Sequence, residues 1–229
     1  MSPRPASFLI PQQASEFKGL LERMATQPLH EFCPFAAGAE PAAAGFALAL
    51  AASWSRTPGL VWVGEEGVLA EDGAPYPVGL AQYGLDPAKL IVVRAQKREE
   101  ALWAAEQGLK MRGGVVICAL SNRGKPLELK ATRRLLLFAE RSGSRCLLVR
   151  RLAEASAAWT RWRVDYAQSN GQGDEIGQPS FALELLRSRA GPAGARFILD
   201  WNADVRRLEE RFQEKLAPAF QSKIGRAHV

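Results

Sequence analysis

Hydrophobic positions along this chain change their period from stretch to stretch, and each change marks an element. Phe17, Leu20, Leu21 and Met24 recur at helical spacing within residues 13–26, behind Ser15 as a plausible cap, which predicts an amphipathic helix that needs a surface to lie on. Leu29-His30-Glu31-Phe32 reads as a short strand, and residues 45–54 as a helix rich in Ala and Leu. Strands are predicted at 59–63 and 90–93, separated by a Gly/Pro-rich loop through 73–77 and a short turn at 80–83. A helix over 98–109 carries Ala101, Leu102, Ala105 and Leu109 on one face. The run 114–120 is continuously apolar with β-branched residues, the pattern of a strand buried on both faces. A helix at 129–141 and a strand at 145–149 follow.

Strands alternating with helices in this way imply βαβ units, hence a mainly parallel sheet with helices on both faces. Beyond Ala157 the period becomes two, at 160–164, 180–187 and 195–201, which predicts an antiparallel extension at one edge of that sheet. Residues 168–175 between the first two of these are flexible by composition. Val205, Leu208, Phe212 and Leu216 form a narrow stripe that predicts a charged helix over 203–216. The chain divides into an N-terminal segment (1–26), an α/β core (27–202), a C-terminal helix (203–223) and a tail (224–229). That tail, Ile224-Gly225-Arg226-Ala227-His228-Val229, reads with Lys223 as the in-frame translation of a sequencing adapter, and it is left out of fold reasoning.

At 229 residues and 47% hydrophobic content, one sizeable core is the default. No segment approaches the ~18 consecutive apolar residues of a membrane span, and the expected compartment is the cytoplasm. Cys33, Cys118 and Cys146 are odd in number and far apart, as buried thiols in a reducing environment are, and His30 and His228 are too distant to form a metal pair. No metal or cofactor is expected. The net charge of +6 is unevenly spread: residues 1–93 hold 5 Lys/Arg against 9 Asp/Glu, residues 94–165 hold 16 against 7, and residues 166–229 hold 9 against 8. Such concentrated basicity is the footprint of a nucleic-acid or acidic-protein partner, or of a solvated Arg-rich surface.

The candidate chemistry lies after the first strand. A strand, a turn bounded by Gly38 and Gly45, and a helix make the scaffold of a P-loop, which needs backbone N–H groups around the phosphates, a Lys on the terminal phosphates and a Ser/Thr on magnesium. Here Ala43, Ala44 and Phe46 stand where Gly, Lys and Ser/Thr would be expected. At the end of the run 114–120, where an acidic residue would hold magnesium, the chain offers Cys118, Ala119 and Leu120, poor ligands for a hard cation. The scaffold persists without the chemistry, and no catalytic residue is expected.

Read in order, residues 27–202 resemble the RecA-like recombinase core, and most closely the ImuA family. Residues 77–93 resemble the stretch leading from a recombinase's second strand to its third, with the Gly84-Leu85-Asp86-Pro87 turn of the ImuA group. Glu100-Ala101-Leu102-Trp103-Ala104-Ala105-Glu106 matches that family's next helix, and Ala157-Ala158-Trp159-Thr160-Arg161-Trp162-Arg163-Val164 is the strongest local match. Arg187–Pro192 with Arg196–Trp201 resembles the late hairpin of the core. The resemblance implies an α/β fold with a RecA-like core, a mainly parallel sheet with helices on both faces and an antiparallel extension at one edge. It places Glu66 where a recombinase keeps its water-activating carboxylate, although a general base is idle without a phosphate to attack, and Glu66 reads more simply as an exposed loop acid.

It also implies two loops that touch DNA in recombinases. The first equivalent brings Arg123 and Lys125, with Lys130, Arg133 and Arg134 just beyond; the second is short and preceded by Arg150 and Arg151. Arg161 and Arg163, beside Trp159 and Trp162, would add a partner-facing ledge if exposed. The two indoles read as one core Trp and one rim Trp with an arginine stacked on it, or else as a nucleic-acid stacking platform. By analogy with recombinase protomers, helix 13–26 is a candidate contact with a neighbour.

The function the resemblance implies is a non-catalytic accessory role in SOS-induced mutagenesis and translesion synthesis. The implied partners are an inactive Y-family polymerase-like subunit, an error-prone DNA polymerase and RecA, with any DNA binding weak, non-specific and salt-sensitive. A SulA-type cell-division inhibitor that binds the division GTPase is the alternative, and a nucleotide-dependent ATPase a third.

Overall fold

A computed structural model describes residues 12–54, 59–121, 126–151, 155–169 and 177–211. The chain runs α1 (Gln12–Thr26), β1 (Leu29–Pro34), α2 (Glu40–Ser53), β2 (Leu60–Glu65), α3 (Glu66–Asp72), α4 (Pro77–Gln82), a 3₁₀ turn at Pro87–Lys89, then β3 (Leu90–Ala95), α5 (Arg98–Gly108), β4 (Val115–Leu120), α6 (Leu129–Ser142) and β5 (Arg145–Arg150). It closes with β6 (Thr160–Tyr166), β7 (Ser180–Ser188), β8 (Arg196–Asn202) and β9 (Arg207–Glu210). The strands form one nine-stranded sheet in the order β3-β2-β4-β5-β1-β6-β7-β8-β9. From β3 to β6 every pairing is parallel, and β7, β8 and β9 add antiparallel, so the expected architecture is present.

The apolar run expected to be buried on both faces is so: all six residues of β4 are buried, as are all six of β2. On one face Phe46 of α2 packs edge-on against Phe32 (5.3 Å between ring centroids) and Phe181 (5.6 Å), in a cluster that includes Trp62, Ile117, Trp162 and Trp201. On the other, Ala101 and Ala105 of α5 and Leu135 and Ala139 of α6 cover Val61, Val63, Val116 and Leu148. Along β6 the burial alternates, as the period of two requires.

α1 lies on its own sheet: Phe17, Leu20 and Met24 are buried, and the Phe17 ring meets Phe197 of β8 at 4.9 Å. The surface that this helix needed to lie on is therefore supplied by the chain itself. Its first residue is Gln12, so Ser15 sits inside the helix and does not precede it. Buried His30 anchors its C-terminal end. The ring Nε2 donates to the Met24 carbonyl at 2.9 Å, and Nδ1 accepts from the Thr160 hydroxyl at 2.7 Å, which itself accepts from Trp162 Nε1 at 2.8 Å.

Two further expectations change. The charged helix over 203–216 is absent from the described residues 203–211: Asn202 Oδ1 accepts from the backbone of Asp204 at 3.1 Å and of Val205 at 3.4 Å, Arg206 adopts φ +50°, and the chain returns as β9 against β8. The turn chemistry of Asn202 prevails over the hydrophobic spacing: Val205 is left exposed in the turn and Leu208 alone of that pair is buried, in β9. Phe212 and Leu216 lie outside the described residues. Residues 66–72, read as loop, form α3, too short to show a period and burying only Leu69.

Candidate functional site

The C-terminal ends of β1, β4 and β5 face a cleft of about 160 Å³, the place where open α/β sheets bind ligands. In a P-loop protein the first strand delivers its phosphate loop here. In this chain β1 ends at Pro34, Gly38 turns with φ +90°, and α2 begins at Glu40. The helix thus starts five residues before the expected 45, with Glu40 and Pro41 in its first turn. Both are N-terminal residues by their chemistry, Pro because its missing N–H is not needed there and Glu because its charge complements the helix dipole.

The register of the degenerate loop shifts accordingly. Ala43, Ala44, Gly45 and Phe46 lie within α2, and Phe46 is a fully buried core aromatic that does not line the cleft. Of the five loop residues singled out, Gly38 alone remains in the turn. The helix's first turn presents Ala39, Glu40 and Pro41 instead. The Glu40 carboxylate folds back: Oε2 accepts the Gly38 N–H at 2.7 Å, and Oε1 pairs with Arg151 Nε at 2.7 Å. An anion therefore sits at this helix N-terminus, and the protein itself supplies it.

Arg151 also reaches Glu71 and Asp72 at the end of α3, each at 3.3 Å. Three carboxylates thus share one guanidinium. Burial holds the Asp72 carboxyl above the usual range, with Arg151 opposing the shift and Glu40 adding to it. At the end of β4, Cys118, Ala119 and Leu120 are all buried. Burial pushes the Cys118 thiol well above its ordinary value, and it takes Cys33 and Cys146 up to about 12, so all three stay protonated. Glu66 pairs with exposed Arg94 at 3.4 Å from the first turn of α3, on a helix where a loop was expected. Its neighbour Glu65 is the buried one, accepting from the Ser121 backbone at 3.1 Å and pairing with Arg98 at 3.4 Å.

The basic residues singled out from the sequence go to separate places. Arg150 and Arg161 both engage Glu31, which is fully buried in β1; Arg161 Nε lies 3.0 Å from Oε2, and the Ser156 hydroxyl donates to the same oxygen. Arg163 pairs with Glu184 at 3.0 Å and stacks on Phe35 at 5.2 Å, so Arg161 and Arg163 hold the core's edge together and make no open ledge. Arg134 pairs with Glu106 at 2.6 Å, while Lys130 and Arg133 are exposed on α6. Arg123 and Lys125 lie outside the described residues. Trp162 is a core indole and Trp159 a rim indole, the arginine over it being Arg189 at 5.0 Å. Sequence reasoning missed Glu31, Glu40, Glu71, Asp72 and Ser156. The signal for Glu31 was present, since an acid inside an apolar strand needs buried partners.

No family profile matches the chain. It is 32% identical over 171 residues to Protein ImuA of Caulobacter vibrioides, in each of two strains, the match covering 69% of this chain and 66% of the relative's length. The crystal structure of the RadB recombinase superposes with a TM-score of 0.55 at 16% identity, covering 81% of this chain and 91% of that one. The fold is RecA-like.

Proposed function

Because the chain belongs to the ImuA family, we propose that it is a non-catalytic RecA-like accessory protein of SOS-induced mutagenesis, acting in translesion synthesis through protein contacts. The partners proposed are a Y-family polymerase-like subunit, an error-prone DNA polymerase and RecA, and the place of action is the cytoplasm. One observation supports the non-catalytic reading: at the turn that would grip a phosphate, the Glu40 carboxylate takes the Gly38 N–H and pairs with Arg151. No helix of the described residues is long and apolar enough to cross a membrane. Any DNA contact falls to exposed residues such as Lys130 and Arg133 and would be weak and salt-sensitive.

A magnesium-ATP titration run beside pull-downs tests the reading. Retention of the polymerase-like subunit without nucleotide affinity below about 1 mM supports it; binding at about 1 mM corresponds to only 4 kcal/mol. Binding of the division GTPase in place of polymerase subunits would select the SulA-type role. Stoichiometric magnesium-dependent ATP hydrolysis would select an enzyme.

A further inference from the structure

A larger cavity, of about 510 Å³, opens along the first turns of α2. Pro41 and Gly45 line it together with Tyr83 just after α4, Tyr166 at the end of β6 and Phe181 in β7. Two of these rings are fixed from behind by the core: Tyr83 meets Trp201 edge-on at 5.4 Å, and Phe181 meets Phe46 at 5.6 Å. Tyr83 is only 9% exposed, yet among the described residues no hydrogen bond engages its hydroxyl. That oxygen lies 3.2 Å from where a Cβ would stand on Gly45, so the glycine leaves room in front of it. Buried tyrosine hydroxyls ordinarily have a partner. An open one, against a cavity that the same residue lines, is a hydrogen-bonding position left for a ligand.

Charge indicates what the cavity takes. Among the described residues its lining holds no Lys, Arg or His, and Arg206 packs on Gly84, outside that lining. Tyr166, 54% exposed, stands at the mouth beside Asp165, whose carboxylate accepts the Tyr166 N–H at 2.8 Å and forms no ion pair among the described residues. Burial raises the Tyr166 phenol above its ordinary value, and the Asp165 and Glu40 carboxylates raise it further, the mark of a negative field at that ring. Burial also holds the Tyr83 phenol neutral far above its ordinary value, so its oxygen keeps lone pairs for an N–H donor. Aromatic rings in a negative field attract a cation to their faces and disfavour a phosphate.

We propose that this cavity binds a small organic cation, an alkyl guanidinium or ammonium, which packs on Tyr166 and Phe181 and donates an N–H to the Tyr83 hydroxyl. The site stands apart from the accessory reading, which assigns this cavity nothing. A free polyamine and an arginine of a partner protein share this chemistry, and different probes separate them.

Calorimetric titration of the full chain with agmatine, spermidine and N-acetyl-arginine amide tests the site, with N-acetyl-citrulline amide as the neutral counterpart of arginine. A cation is expected to bind about tenfold more tightly than the citrulline compound, a difference near 1.4 kcal/mol, and to bind more weakly as salt is added. Tightest binding by agmatine or spermidine supports the site with a free amine as its ligand; tightest binding by the blocked arginine supports it with a protein side chain. Tyr83→Phe keeps the ring on Trp201 and should weaken binding about fivefold. Tyr166→Ala, at an exposed position, should weaken it by a similar factor through the lost ring. Both variants should keep the urea midpoint of the unaltered protein nearly unchanged, and the second decides the matter if the first does not fold. Equal affinity for the citrulline compound, or full affinity in a folded variant, overturns the proposal. So does tighter binding of adenosine monophosphate, or no binding of any of the three cations at about 10 mM. None of these results alters whether the polymerase-like subunit is retained, so the two readings fail separately.

Discussion

Acidifying the protein through the range where a free histidine titrates measures how firmly α1 is held. His30 is fully buried with a neutral ring, and burial lowers its pKa from 6.5 to about 4. Its two hydrogen bonds fix one tautomer, because Nε2 must donate to Met24 and Nδ1 must accept from Thr160. The unfolded chain takes up a proton below pH 6.5 while the folded one does not until about pH 4. Stability is therefore whole above pH 6.5 and falls by about 1.4 kcal/mol per pH unit as pH drops, some 3 kcal/mol in all, with no further loss from this group below pH 4. His30→Gln gives up about 2 kcal/mol of buried hydrogen bonding at pH 7.5. It carries no such pH penalty, so the two stabilities should cross near pH 5, where about 2 kcal/mol has been lost from the unaltered protein. Urea melts of both proteins at half-unit steps from pH 7.5 to 4 read this directly. Carboxylate effects common to both cancel in the difference, and a flat difference would refute a neutral, buried His30.

The cleft offers a second comparison. Arg151→Ala strands the buried Glu40 carboxylate beside two others and should cost about 2–3 kcal/mol, whereas Glu40→Ala leaves Arg151 two partners and should cost about 1–2 kcal/mol; the reverse order in denaturant melts would contradict an internally satisfied seat. Phe46→Ala should cost about 3–5 kcal/mol, as a core aromatic does, and a loss below about 1 kcal/mol would return that residue to a surface loop. Deleting residues through Thr26 removes Phe17, Leu20 and Met24, about 2 kcal/mol each, against a total stability of about 5–15 kcal/mol. An expanded chain without near-ultraviolet dichroism is expected, and a compact, well-packed product would count against α1 as part of the core.

What could be read from the sequence was set by local period. The run that became β4 has no polar break, and the alternation in β6 shows which side of the strand is wet. The parallel core and its antiparallel extension follow from those patterns. The start of α2 was also written locally, in Glu40 and Pro41, but the apolar run beyond drew the expected helix inward. The ion pairs were not legible. Glu31 finds Arg150 and Arg161 across 119 and 130 residues of chain, and Arg151 finds Glu71 and Asp72 across 80 and 79, distances over which spacing carries no information. Lone cations in a list therefore looked available when the fold had already assigned them.

The carboxylate of Glu40 has a bearing on control as well as on chemistry. In a nucleotide-driven switch, the cell's ratio of triphosphate to diphosphate resets the helix that follows the first strand. Here that helix carries a carboxylate of its own in its first turn, and on the accessory reading proposed above the fuel state of the cell would have no handle on its pose. On that reading, timing would come from supply: how fast the protein is made, and how fast it is destroyed.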